Sequence, residues 1–474
     1  MHFIIILLFG ITTIAHAQVD SLWSHTYGSA LDELCNAMCV TPDGGYLLVG
    51  QKYSDEPDYY SRAWAVRTDG DGDTLWTRIY GGDTWYGFLS AKPTSDGGFI
   101  LTGDQFDLEV DEESWSLKLN ADGDSLWSAF YAWDLDHAAD AVETPDGGFL
   151  VTSVGFGSGE GTLSACLIRL SANGEVTHHR FYHDNWTSSS NRSITQASDG
   201  GCVVAGTISH DNADFWLMKT DDNGDSVWSR NYGTQSTEWG YSVCQNLDGG
   251  YLIAGLRRIG LIGDIIWVVN TNVNGDSIWS RTLGDCDWYS DVSIAPTPDG
   301  FFLITATSDS STGHARDFLL VKISSDGDSL WSRSFGGSDD EYCTSVAATS
   351  DGGYVVGGCT HSFGMGAADF WLLKTTPELA VEDFILPPSS FSLANYPNPF
   401  NASTTISFDL PHESPVLLNV FDLTGRTVVT LADEPMTGGT HSINFNAAAL
   451  PSGIYVYRLT GGDVSQARKL VVLK

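Results

Sequence analysis

The tripeptide Asp-Gly-Gly returns along this chain at a nearly constant interval, and that interval constrains the fold more than any other feature. It begins at Asp43, Asp96, Asp146, Asp199, Asp248 and Asp351, and a shortened form, Asp299-Gly300-Phe301, fills the one gap. Successive spacings are 53, 50, 53, 49, 51 and 52 residues. Two further markers keep the same period. An aliphatic–tryptophan pair places Trp23, Trp76, Trp127, Trp228, Trp279 and Trp331, with His178 at the corresponding position of the fourth copy. An aromatic followed by aliphatics places Trp64, Trp115, Trp216, Trp267, Phe318 and Trp371, reduced in the third copy to Ala165-Cys166-Leu167-Ile168. A supersecondary unit repeated at this period cannot bury its apolar faces alone and must stack on its neighbours.

Each unit reads as four short strands. In the last copy these are residues 329–335, 343–348, 354–359 and 369–374, with Asp351-Gly352 as a tight turn between paired strands. No long helical period is present. Four strands in about 51 residues is the pattern of a propeller blade. The expectation is an all-β chain with a seven-bladed β-propeller over residues 18–376. The Trp23 strand enters alone, so it should complete the seventh blade as its outer strand and close the ring without a covalent link. Most of the 16 Trp residues are expected to fill the spaces between blades. The acidic turns, such as Asp69-x-Asp71-x-Asp73, lack the later Gly and Glu of a calcium loop. They are read as turns capped by their own side chains, and no metal site and no cofactor is expected.

Charge narrows the partners. Lys plus Arg number 23 against 60 Asp plus Glu, a net −37 in 474 residues. Such a surface repels nucleic acid and anionic membrane and attracts cations. Residues 3–15 form an apolar run too short to span a bilayer, followed by Ala15-His16-Ala17. Residues 1–17 therefore read as a signal peptide cleaved between Ala17 and Gln18, and no other segment is expected to insert into a membrane. Eight cysteines lie between Cys35 and Cys359, without metal-ligand spacing. They are read as free buried thiols or disulfides; Cys343 and Cys359 flank the Asp351-Gly352 turn symmetrically and are the best-placed pair.

The loops leading into each unit's first long strand should gather at one mouth of the ring. They combine aromatics with carboxylates: Trp85 and Tyr86; Trp133 and Asp134; Trp186; Glu238 and Trp239; Asp287, Trp288 and Tyr289; Asp340 and Tyr342. Aromatic faces stack on sugar rings, carboxylates accept hydroxyl hydrogen bonds, and together they also cradle cations. The competing reading makes the carboxylates turn caps and the aromatics rim packing. No residue is singled out as catalytic.

Composition changes after Thr376. Residues 377–388 read as a linker, and residues 389–474 alternate like the short strands of a small β-sandwich. Asn395-Tyr396-Pro397-Asn398-Pro399-Phe400-Asn401, Val420-Phe421-Asp422-Leu423-Thr424-Gly425-Arg426, Leu450-Pro451-Ser452-Gly453-Ile454-Tyr455 and the terminal stretch from Lys469 to Lys474 follow in order. This tail resembles the type A C-terminal sorting domain of the type IX secretion system. It is also similar to the immunoglobulin-like fold of flagellar hook-capping proteins. The resemblance implies an immunoglobulin-like sandwich recognised by the type IX secretion machinery through Pro397, Asn398, Pro399, Gly425, Gly453, Tyr455, Lys469 and Lys474. It further implies passage across the outer membrane, removal of the tail, and release or attachment at the cell surface. The expected function is binding or adhesion to a glycan or other extracellular polymer, or to a cationic ligand, by a monomer. The alternatives are a secreted polysaccharide-degrading enzyme and a passive surface spacer.

Overall fold

The computed structural model describes residues 20–473 except 55–59, 83, 108–110, 132–134, 157–162, 183–187, 210–211, 261–262, 288–289, 309–314, 378–391, 397, 411–413, 423–425, 438 and 462–463. The chain divides into two compact units, residues 1–378 and 379–474. The signal-cleavage residues Ala17 and Gln18 lie outside the described residues.

The Asp-Gly-Gly turns set the blades. Gly44 takes φ +87°, and its amide donates to Thr41 O at 2.9 Å. A Cβ on Gly45 would meet Thr68 O at 2.2 Å, so the second glycine lets the neighbouring strand pass. Among the described residues the first unit holds seven four-stranded antiparallel sheets. In blade one the order is Glu33–Val40, Tyr46–Tyr53, Ser61–Thr68 and Thr74–Tyr80. The inner strands Glu33–Val40, Trp85–Pro93, Leu135–Glu143, Ser188–Gln196, Glu238–Gln245, Ser293–Pro296 and Glu341–Ala348 are neighbours in that sequence, and the last adjoins the first. This cyclic arrangement is a β-propeller. Strand Ser21–Tyr27 pairs with Asp369–Thr375 and completes the seventh blade, with Trp23 opposite Lys374.

The two central strands of a blade are buried on both faces, as in Tyr354–Thr360 and Asp369–Thr375. The outer strands alternate and clasp the next blade. Trp76 Nε1 donates to Ala121 O at 3.2 Å, Trp127 Nε1 to Ala172 O at 3.0 Å and Trp279 Nε1 to Ser325 O at 3.1 Å. His178, which breaks the Trp pattern, keeps the bond: its Nε2 lies 2.8 Å from Asn223 O. Four residues along the same strand face, Tyr80 donates to Gly123 O at 2.7 Å and Tyr232 to Gly275 O at 2.5 Å.

Sequence reasoning did not anticipate a cation buried in the third strand of six blades. Lys118 reaches Asp96 at 2.8 Å, Arg169 reaches Asp146 at 2.6 Å, Lys219 reaches Asp199 at 3.1 Å, Lys322 reaches Asp299 at 2.7 Å and Lys374 reaches Asp351 at 2.8 Å. Arg67 pairs with Asp43 in the same way. Each acid belongs to the repeated Asp-Gly turn. In blade five Asn270 replaces the cation and accepts from Asn246 Nδ2 at 3.0 Å.

The register rules out the candidate Cys343–Cys359 pairing and leaves both as free buried thiols. Ser345 stands opposite Gly357, which alone would bring Cys343 opposite Cys359. A β-bulge at Thr344 shifts the ladder, so Cys343 faces Gly358 and Cys359 faces Tyr342. The two thiols then point to opposite faces of the sheet and into separate cores.

The second unit has two sheets, Ser392–Tyr396/Ser403–Leu410/Gly439–Asn446 and Thr427–Met436/Ser414–Phe421/Gly453–Gly461/Val464–Val472. Ile406, Phe408 and Phe445 from the first share one core with Leu418, Tyr457 and Leu470 from the second. The alternation in strand Ser414–Phe421 produces this directly, because every second residue is buried. Among the described residues no helix is long and apolar enough to cross a membrane.

Candidate functional site

Six inner strands carry a one-residue bulge, at Asn36, Leu89, Ala139, Arg192, Tyr241 and Thr344. A bulge leaves its residue unpaired and re-aims it. All six line one cavity of about 390 Å³ to which every inner strand contributes. The position after the bulge is Ser in four of the six strands, Ser90, Ser193, Ser242 and Ser345, with Asp140 and Ala37 in the other two. These side chains tie blades together: Met38 N donates to Ser345 Oγ at 3.0 Å, Ile294 N to Ser242 Oγ at 3.3 Å and Ile194 N to Asp140 Oδ2 at 3.0 Å. Lys92 Nζ caps the same Asp140 oxygen at 2.6 Å. The bulge residue itself differs in each of the six strands. The internal repeat is therefore broken where the chain faces the axis.

The chemistry there is concentrated on blades four to six. Arg192 stacks over Tyr241, 4.6 Å from its ring centre, and lies 4.0 Å from Asp291. Asp291 is more than half exposed to the cavity. Partial desolvation by the protein around it pushes its carboxyl above the ordinary range, against the opposing pull of Arg192. A second cavity of about 380 Å³ shares Asn36, Asp291 and Thr344, and extends to Tyr342 and His361.

At the mouth, the described candidates divide. Trp85 is 36 % exposed and edges onto Tyr53. Tyr86 is buried against Trp115, and Trp239 lies partly buried under Arg258 at 4.7 Å. Glu238 is fully buried and closes its own turn, accepting Thr234 Oγ1 at 2.5 Å and pairing with Arg257 at 3.4 Å. Glu33 and Glu341 do the same in blades one and seven, with Ser29 Oγ at 2.6 Å and Gly337 N at 2.9 Å. Glu238 thus leaves the set of ligand-facing carboxylates, and so does the buried Asp287. Trp133, Asp134, Trp186, Trp288 and Tyr289 lie outside the described residues. One cluster does form, through a residue the sequence reading passed over. Arg316 binds Asp287 at 2.8 Å and Asp340 at 2.7 Å, and approaches Tyr342 Oη at 3.3 Å. The Arg316 backbone N–H, then its guanidinium, hold Asp340 below the usual carboxylate range, and the bond to Asp287 raises Arg316 in turn. Its signal in the sequence was a lone Arg in a loop, in a chain with only 23 Lys plus Arg against 60 Asp plus Glu.

The acidic turns also have internal partners. Asp69 Oδ1 accepts from the amides of Asp71 at 3.0 Å and Asp73 at 2.9 Å.

In the second unit, residues 394–473 match the family model described as the secretion system C-terminal sorting domain. The tail is a type IX sorting domain. The chain is thereby an exported protein, secreted or attached to the outer-membrane surface, and its tail engages the type IX secretion machinery. Within this sorting domain Asn398 is a structural pin: its Nδ2 donates to Lys469 O at 2.8 Å, and its Oδ1 accepts from Val471 N at 2.9 Å. The Asn-Pro motif and the terminal strand, distant in sequence, are thus joined. Tyr455 is buried and donates to Pro451 O at 3.0 Å. Gly453 opens a strand, Pro399 is exposed beside the pinned Asn398, and the Lys469 side chain is exposed. Pro397, Gly425 and Lys474 lie outside the described residues.

No curated protein matches the chain. Among solved structures it is similar to a puromycin hydrolase at 11 % identity and TM-score 0.46, covering 80 % of this chain and 59 % of that one. It is similar to Sqt1 from Chaetomium thermophilum at 13 % identity and TM-score 0.43, covering 72 % and 83 %. A protein of unknown function from Dyadobacter fermentans gives 12 % identity and TM-score 0.44, covering 76 % and 99 %.

Proposed function

We propose that this protein is an exported binding module that takes a polar extracellular polymer, a neutral glycan above all, at the mouth and axis of its propeller. In this reading residues 1–17 are a leader, residues 18–376 carry the binding unit, and residues 389–474 are the export address after a linker at 377–388. The observation that carries it is the broken repeat at the axis. Seven otherwise similar blades present different side chains there, around an open polar cavity of about 390 Å³. Asn36, Thr344, Arg192 and Asp291 offer donors and acceptors for hydroxyls, and Trp85 and Tyr342 offer rings at the rim for stacking. Each contact is weak alone, so affinity grows with the number of polymer units engaged. The net charge of −37 disfavours acidic polysaccharides.

A glycan array probed with the exported chain tests this. Neutral glycans should bind, and Arg192→Ala and Trp85→Ala should each weaken binding by about fivefold to tenfold. The melting temperature should stay within about 2 °C of wild type. An array without signal, or variants that bind unchanged, removes the proposal.

A further inference from the structure

The ring closes where blade seven meets blade one, and that seam carries sulfur on both sides. Cys35 lies on the inner strand Glu33–Val40 of blade one, and Cys359 on Tyr354–Thr360 of blade seven. The Cys35 amide donates to Cys359 Sγ at 3.0 Å, and the Cys359 thiol lies 3.4 Å from Cys35 O. Both are buried in one core cluster. Two equivalent seams show one way this position is filled. Thr207 accepts the amide of Gly240 at 3.1 Å, and Thr307 accepts that of Cys343 at 3.1 Å. A hydroxyl therefore suffices to receive the inner-strand amide of the next blade. Of the seven seams, the closing one is where both equivalent positions are cysteine.

We infer that Cys35 and Cys359 form a disulfide in the exported protein, which converts the non-covalent closure of the ring into a covalent one. Export places the chain where disulfides persist. The pair is separated by 324 residues, so the cross-link would restrict the unfolded chain strongly. The chemistry is thiol–disulfide exchange with a disulfide-bearing oxidoreductase of the export route. One protein thiolate attacks the partner's disulfide, and the second then displaces the partner from the mixed disulfide. The chain gives up two electrons and two protons, and the partner leaves as a dithiol. Burial pushes the Cys35 thiol well up and that of Cys359 to about 12, so the exchange belongs to the stage before the seam shuts. Cys343, on the other face of the sheet, is engaged with Thr305 Oγ1 at 2.7 Å and stays outside the pair.

Denaturing the exported protein without reductant, alkylating it and weighing it should show six of the eight thiols labelled, and all eight after reduction. Cys359→Thr keeps an acceptor for the Cys35 amide and should fold. It should show every remaining thiol labelled, with a melting temperature equal to that of reduced wild type. Eight labelled thiols in the unreduced wild type, or a cross-link that survives Cys359→Thr, overturns the assignment.

Discussion

A lysine held almost wholly out of water is a demanding residue, and six blades of this ring hold a lysine or arginine in that way. Lys374 is 3 % exposed in its side chain and donates to both oxygens of Asp351, at 2.9 and 2.8 Å, and to Thr375 O at 3.3 Å. The Asp partners respond. Burial alone would raise Asp96 and Asp351, but Lys118 and Lys374, with Thr94 and Thr349, outweigh it and bring both to about 2. The Thr144 hydroxyl, assisted by Arg169, brings Asp146 to about 2. An unfolded Asp titrates near 3.9. The folded values are depressed, so this stabilisation is complete above about pH 4 and is lost as pH falls towards 2. The melting temperature should hold between pH 7 and 5 and fall between pH 4 and 2, with a shallower fall in Asp351→Asn. A flat acid limb would refute the pairing. Blade five supplies a second check, because Asn246 and Asn270 replace the threonine and the cation together. Lys374→Asn should cost about 2 kcal/mol in urea unfolding, and the double variant Thr349→Asn/Lys374→Asn should cost less than the single one.

At the scale of elements, the outer strands act as clasps, and His178 shows which part of tryptophan the clasp uses. Its ring nitrogen holds Asn223 O as Trp76 holds Ala121 O. His178→Trp should leave thermal stability unchanged or higher, whereas His178→Ala should cost about 1 kcal/mol by calorimetry. Equal stability of His178→Ala and wild type would make the contact incidental. Strands and turns of this kind were legible in the sequence because Asp-Gly-Gly and the Trp markers recur with the period of one blade, and glycine is required where the turn needs positive φ. The bulges were not. A single extra residue at Thr344 leaves the alternation of buried and exposed positions intact to the eye, yet it separates Cys343 from Cys359. The buried cations were hidden for another reason: hydropathy assigns Lys and Arg to the surface, although Trp64 and Arg67, Trp115 and Lys118, Trp216 and Lys219, and Trp371 and Lys374 keep one spacing. At the mouth, an aromatic beside a carboxylate looks the same whether the acid faces a ligand or, like Glu238, closes its own turn.

For the whole molecule, closure rests on strand Ser21–Tyr27, which serves two blades at once. It supplies the fourth strand of blade seven by pairing with Asp369–Thr375. It also clasps blade one, where Tyr27 donates to Gly72 O at 2.6 Å and the Trp23 ring lies 6.0 Å from that of Tyr46. Deleting residues 18–28 removes both functions and leaves Asp369–Thr375 as an unpaired, apolar edge. Such an edge invites pairing with other chains. The deletion should lower the melting temperature by about 10 °C or more and produce concentration-dependent oligomers in light scattering. A synthetic peptide of residues 18–28 should reverse both effects. The comparison belongs in reducing buffer, because a Cys35–Cys359 bond would hold blade seven to blade one after the strand is gone. In oxidising buffer the same deletion should then lose less stability than in reducing buffer. A truncated chain that stays monomeric with an unchanged melting temperature would show that the ring does not depend on this strand for closure.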